Sequence, residues 1–199
     1  MQKKTYAVLG LGRYGTAVAK ELVKNGADVI AVDKNEQIVQ DSSVYLPICK
    51  CADITDPEVI SELGISNADV VIVAMASSLE GSILAITLCK EAGVKTVIAK
   101  CANETHRKIL KRVGADTVVF PENESGTRLA KNLLTSGFTD ILTLSDDLSL
   151  VELATRDEWV GKSLKELNLR KKYTVNVVAF RKNGKITAPV NPEELLDKD

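Results

Sequence analysis

The chain is poor in metal-binding side chains. Its one histidine, His106, stands apart in ETHRKILKR, and its four cysteines (Cys49, Cys51, Cys89 and Cys101) form no Cys-x-x-Cys pair. A zinc site needs closely spaced pairs of such ligands, so none is expected. The cysteines read as small apolar or surface residues of a reducing compartment. Cys49 and Cys51 fall on one face of a strand, but little else supports a redox role for them. Charge of one sign is also missing: 26 Lys and Arg against 27 Asp and Glu give a formal net charge of -1. That excludes the broad basic surface with which proteins hold nucleic acid or anionic lipid, so no nucleic-acid partner is expected. No apolar run approaches the ~20 residues that cross a bilayer. The strand-like run after MQKK flows straight into a glycine motif, so it is not a disposable signal segment. The expectation is a cytoplasmic chain.

What is present is an alternation of short β-branched runs with helical patterns. Apolar residues make up 45% of the 199 positions and charged ones 27%, the profile of a globular protein. Strands are predicted at 5–10, 27–33, 45–50, 68–75, 96–100 and 116–120, several of them apolar on consecutive positions, as strands covered on both faces are. In GTAVAKELVKNG, Val18, Leu22 and Val23 share one helical stripe and Gly26 stops the helix. The predicted fold is α/β, a Rossmann-type doubly wound parallel sheet of six strands over residues 1–121. Residues 122–139 read as a crossover helix with Leu129, Ala130, Leu133 and Leu134 on one stripe. That stripe either packs on its own sheet or crosses to a second subunit, with Gly137 as the bend. Residues 140–199 read as a smaller, truncated α+β unit: an isolated strand in SLVELATR, a short helix and turn, and a hairpin around Asn183-Gly184.

Gly10-Leu11-Gly12-Arg13-Tyr14-Gly15 fits G-x-G-x-x-G. The pattern is weak alone, but here it follows a strand and opens a helix inside a βαβ unit. Gly10 permits the tight turn, Gly12 lets backbone approach phosphates, and Gly15 lets helix pack on strand. The helix's first-turn N–H groups and dipole then hold the phosphates. Asp33 stands eighteen positions beyond Gly15, near the ~20 expected of a carboxylate that accepts from ribose hydroxyls. It would repel a 2′-phosphate, an exclusion that Lys34 weakens slightly.

Further candidates lie at the carboxyl ends of strands, where open α/β sheets put their ligands. Asp53 either accepts from an adenine amino group, with Ile54 packed on the ring, or caps a helix beside Thr55. Ala74, Met75 and Ala76 leave room for ribose and phosphate. Lys100 either meets phosphate charge or is a solvated strand end, and Glu122 alone reads as a helix-start acid. Arg13 carries a planar fork suited to phosphate oxygens beyond a diphosphate, although arginine is also a common solvent-facing residue. A third phosphate points to ATP rather than NAD.

With GLGRYG, Asp33, CADIT, Lys100, FPENE and GKSLKELNLRKKYTVNVVAFRKNGKI in place, the whole chain resembles the RCK (KTN) proteins of the KtrA/TrkA family, cytosolic subunits of bacterial potassium-uptake systems. The resemblance implies a non-enzymatic regulator that binds ATP or ADP, and in some members NAD or NADH. It implies a homodimer that assembles into an octameric ring, peripheral to the inner face of the cell membrane on a potassium-translocating subunit. It assigns phosphates to Gly10, Gly12, Arg13, Tyr14 and Gly15, ribose to Asp33, adenine to Asp53 and Ile54, and the pocket wall to Lys100. It gives Glu122 a cation bridging nucleotides, such as Mg²⁺, which takes a carboxylate plus phosphate oxygens. Related proteins bind cyclic di-AMP in the C-terminal lobe, a site implied here only for a complete lobe. The rival class, an NAD-dependent oxidoreductase, needs a catalytic group that a solvent-facing His106 does not supply. An NADH-binding redox sensor is the other alternative.

Overall fold

The structure, a computed structural model, describes residues 4–75, 77–134, 138–145 (backbone only) and 148–198. Ala76 and Gly137, both singled out in the sequence, lie outside the described residues. The chain divides into two compact units, Met1–Asn123 and Glu124–Asp199.

The first unit carries the six expected strands: β1 (Thr5–Leu9), β2 (Asp28–Asp33), β3 (Ile48–Cys51), β4 (Val70–Val73), β5 (Thr96–Lys100) and β6 (Thr117–Val119). They form one parallel sheet in the order β3-β2-β1-β4-β5-β6. The helices between them are α1 (Arg13–Lys24), α2 (Glu36–Ser43), α3 (Pro57–Glu62), α4 (Leu79–Glu91) and α5 (Glu104–Val113). The consecutive apolar runs are explained by two cores, one on each sheet face. One gathers Leu9, Val71, Val73, Ile86 and Val97, the other Val8, Val29, Ala31 and Ile72. Val18, Leu22 and Val23 of α1 pack on the second core, as their spacing predicts. Gly26, at φ +81°, ends α1 in a Schellman pattern: its N–H donates to Val23 O and that of Ala27 to Leu22 O.

Helix α6 (Pro121–Leu134) buries none of its residues: Leu129, Leu133 and Leu134 are 60%, 77% and 85% exposed. The segment taken as crossover helix ends earlier than residue 139, because β7 (Phe138–Ser145) begins within it. Strand β7 pairs antiparallel with β8 (Leu148–Leu153), so the strand read in SLVELATR is not isolated. The single helix expected after it is two short ones, α7 (Leu164–Leu167) and α8 (Leu169–Tyr173), separated by Asn168 in the left-handed region. The hairpin stands as expected. Asn183 and Gly184, at φ +50° and +75°, join β9 (Phe180–Lys182) to β10 (Lys185–Thr187).

Candidate functional site

The strand order reverses at β1, which has β2 on one side and β4 on the other. Such a switch point opens a crevice at the carboxyl ends of the strands. The glycine-rich turn leaves β1 at this place. Gly10, at φ +96°, donates its N–H to Val32 O at 2.8 Å, and a Cβ on it would meet Met75 Cγ at 2.7 Å. A Cβ on Gly15 would lie 1.9 Å from Gly10 O and 3.0 Å from Ala74 Cβ, so this glycine and the small Ala74 let α1 close on the sheet. Gly12 differs from both. Among the described residues no heavy atom lies within 4 Å of where its Cβ would stand, and its φ of -63° suits any residue. Nothing among them requires a glycine there.

The start of α1 is also unlike that of its neighbours. Asn35, Asp56, Ser78 and Asn103 cap α2, α3, α4 and α5 with a side-chain oxygen, and each of those helices has a glutamate in its first turn. Helix α1 has Gly12 as its N-cap, no side-chain cap and no acid in its first turn. Its first residue is instead Arg13, exposed, its side chain without a hydrogen bond or ion pair among the described residues. A positive helix end with an added guanidinium is an anion-binding arrangement.

Asp33 does something the sequence did not disclose. Its Oδ2 accepts from Leu11 N at 2.7 Å and its Oδ1 from Asn35 N at 2.9 Å, stapling the glycine turn to the start of α2. Each oxygen keeps a further lone pair for a hydroxyl donor. Lys34 beside it is exposed. The CADIT segment adjoins this carboxylate, with Ala52 N donating to Asp33 O at 3.1 Å. Asp53 caps no helix; α3 is capped by Asp56. The Asp53 Oδ1 accepts from Thr55 N and Oγ1 at 3.0 and 2.7 Å, which holds its carboxyl below the usual range. Ile54 is 4% exposed within the core and leaves only an edge to face a ring. Ala74 is buried and Met75 half-buried, and the carbonyl of Met75 accepts from the Ser82 hydroxyl at the start of α4.

Lys100 is not a solvated strand end. Its side chain is only 14% exposed, and its ammonium donates to Glu122 Oε1 at 2.6 Å. The same nitrogen lies 5.7 Å from the centroid of the Tyr14 ring, next to the first turn of α1. The bond from Lys100 holds the Glu122 carboxyl below the usual range. A single carboxylate already neutralised by an ammonium does not by itself make a divalent-cation site. Among the described residues no three His, Cys, Asp or Glu side chains cluster to hold a metal. His106 is half-buried rather than solvent-facing, and its backbone N–H is taken by the Asn103 cap. All four cysteines are free thiols, and burial pushes Cys89 up to about 12.

Residues 6–121 match the TrkA-N domain family and residues 148–199 the TrkA-C domain family. The chain is 36% identical over 198 residues to the Ktr system potassium uptake protein C of Bacillus subtilis (strain 168), spanning 99% of this chain and 90% of that protein. It is 34% identical over 196 residues to the Ktr system potassium uptake protein A of the same organism, spanning 98% and 88%. Among solved structures, the GsuK channel bound to NAD superposes with a TM-score of 0.69 at 15% identity, over 100% of this chain and 36% of that one. At that identity the likeness shows the fold alone.

Proposed function

Because the chain belongs to the KtrA/TrkA family of RCK proteins, we propose that it is the nucleotide-sensing regulatory subunit of a potassium-uptake system. It catalyses nothing; it binds an adenine nucleotide at GLGRYG and passes the ligand's state to a membrane potassium-translocating partner. The observation that carries this reading is the start of α1. Among the described residues Gly12 faces open space, the helix has neither cap nor first-turn acid, and the Arg13 side chain has no bonding partner. First-turn N–H groups of a helix have no intrahelical acceptor, and a guanidinium on the first residue adds positive charge at that end, as phosphates require.

In this reading the phosphates lie against Gly10, Gly12, Tyr14 and Gly15, the ribose on Asp33, and the adenine by Asp53 and the edge of Ile54. Ala74, Met75 and Lys100 line the pocket, with Lys34 at its rim. ATP and ADP are told apart by the γ-phosphate, which Arg13 grasps from its own or a neighbouring subunit. Such a charge-assisted contact of ~1.5–3 kcal/mol shifts a two-state equilibrium roughly 10–150-fold. The exposed leucines of α6 are the surface through which two copies pair, the first step of a ring. Arg13→Ala is expected to reduce the preference for ATP over ADP while leaving ADP binding nearly intact. Calorimetric titration with both nucleotides decides it: equal losses for both, or no loss, reject the γ-phosphate role.

The second reading, NAD or NADH as ligand, draws on Asp33, whose open lone pairs suit ribose hydroxyls, and on the NAD-bound GsuK channel of the same fold. Identifying the nucleotide that co-purifies with the chain, and competing bound NADH with ATP by fluorescence, separates the two.

A further inference from the structure

Between the glycine-rich turn and α6 stands one covered cation. The Lys100 ammonium has Glu122 at 2.6 Å and the face of Tyr14 at 5.7 Å. Tyr14 belongs to the first turn of α1 and Glu122 to the first turn of α6. A lysine this enclosed does not swing into bulk water. Its neighbours are Glu122 and Tyr14, the latter a first-turn residue of the helix proposed to receive phosphates. Glu122, 62% exposed, is solvated on its open side.

We propose that Lys100 is a relay with two positions: without ligand its ammonium clamps Glu122 and with it the first turn of α6, and with an adenine nucleotide it turns to the phosphate oxygens and releases Glu122. The inference rests on the phosphate site proposed at α1. An ammonium is a compact charge with three donors on a flexible stem, so it changes partners without moving backbone, which a guanidinium locked in a bidentate fork would not do. Phosphates carry more negative charge than one exposed carboxylate and sit against the positive end of α1, so they win the competition. A ligand shifts an equilibrium only through contacts that differ between its states. Here the differing contact is one ammonium, given to Glu122 in one state and to phosphate in the other. Helix α6 starts in the first compact unit and continues into the second, so its first turn is where such a signal leaves the nucleotide site.

The test uses the full chain, Glu122→Gln and Lys100→Met, with ADP and ATP titrated calorimetrically and amide exchange followed over residues 121–134. Glu122→Gln, at an exposed position, stays folded and loses no more than the about 0.2–1 kcal/mol of one solvent-facing pair. It is expected to bind ADP about two- to fivefold more tightly, the gain from removing an ion pair that the ligand otherwise breaks. Its α6 exchanges without ligand as fast as the wild-type helix does with ligand. Lys100→Met loses affinity, and ligand no longer alters exchange in α6. Unchanged or weaker binding by Glu122→Gln, or a wild-type response of its α6 to ligand, overturns the relay and leaves the nucleotide reading standing. A wild-type chain that binds none of ATP, ADP and NADH overturns both.

Discussion

Gly12→Ala and Gly15→Ala separate a glycine kept for the ligand from one kept for the fold. The Cβ of alanine at 15 would begin 1.9 Å from Gly10 O. A carbon–oxygen contact needs about 3.3 Å, so α1 has to retreat by about 1.4 Å. The turn it would push against is pinned by the Asp33–Leu11 bond, and the oxygen it meets is backbone, so no rotamer change relieves the collision. Overpacking of this kind costs about 1–3 kcal/mol, and the upper end applies here. Alanine at 12 meets no atom of the described residues within 4 Å and keeps an ordinary φ. As an N-cap, alanine is poorer than glycine by about 0.5–1 kcal/mol. Restricting the unfolded chain returns about 0.4–1 kcal/mol. The two nearly cancel, so Gly12→Ala unfolds in urea within about 0.5 kcal/mol of the parent. Its methyl group nevertheless stands where, in the proposed nucleotide site, phosphates reach the backbone. Losing one charge-assisted N–H contact, about 1.5–3 kcal/mol, weakens ADP roughly 10–150-fold in a calorimetric titration. Parental affinity for ADP in Gly12→Ala refutes the placement of phosphates at this turn, and parental stability in Gly15→Ala refutes the collision.

Two further outcomes are expected. Glu122 and Asp116 have carboxyls held below the usual range, the first by the bond from Lys100 and the second by Lys90 and then Val97 N. Their native pKa values are depressed, so the stability they add is complete above the ordinary carboxylate range and fades as pH falls through the native values. Because both are largely solvent-facing, the loss is about 0.2–1 kcal/mol for each pair between about pH 5 and pH 3. The Glu122→Gln/Asp116→Asn double variant then shows a shallower decline in urea unfolding over that range, and an identical decline contradicts the assignment. Leu129→Asp with Leu133→Asp, on a stripe 60% and 77% exposed, is expected to leave the thermal midpoint in place and abolish pairing of two copies. Light scattering that still reports the parental mass rejects α6 as the pairing surface.

The sheet was legible because each of its strands carries its own burial requirement. Runs such as VVIV at 70–73 are apolar on successive positions only where both faces are covered, and the glycine motif fixed where β1 ends and α1 begins. The smaller unit was less legible. In β7, FTDILTLS mixes polar and apolar residues, and it is defined by pairing with β8 rather than by a pattern of its own. Asn168 breaks one apparent helix into two by taking a left-handed conformation, which asparagine tolerates but its neighbours do not announce. At the site, residue type pointed to Asp33 and Lys100 but not to their bonds. That Asp33 staples the turn, that Asp53 folds onto Thr55, and that Lys100 holds Glu122 are contacts between residues far apart in sequence or set by local backbone geometry. A single sequence without side-chain coordinates does not encode their distances. One signal was available and went unread: of the first five helices, only α1 lacks both a capping side chain and an acid in its opening turn.

That omission has a cost, which argues for a purpose. A capping side chain is worth about 1 kcal/mol to a helix, and a first-turn acid adds about 0.3–1 kcal/mol. Four helices of the sheet unit take both gains, whereas α1 takes neither and puts an arginine where charge of that sign is repelled by the helix dipole. Crowding by the described residues does not explain the absence, because none of them comes within 4 Å of the position of a Gly12 side chain. Backbone conformation does not explain it either, because Gly12 is extended and accepts any residue. What remains is a requirement from outside the chain: an anion that brings the missing negative charge and the missing acceptors together. The phosphates of the proposed adenine nucleotide would meet that requirement at a turn to which Asp33 is bonded through Leu11 N, with the Lys100 ammonium 5.7 Å from the centroid of the Tyr14 ring in the first turn of α1.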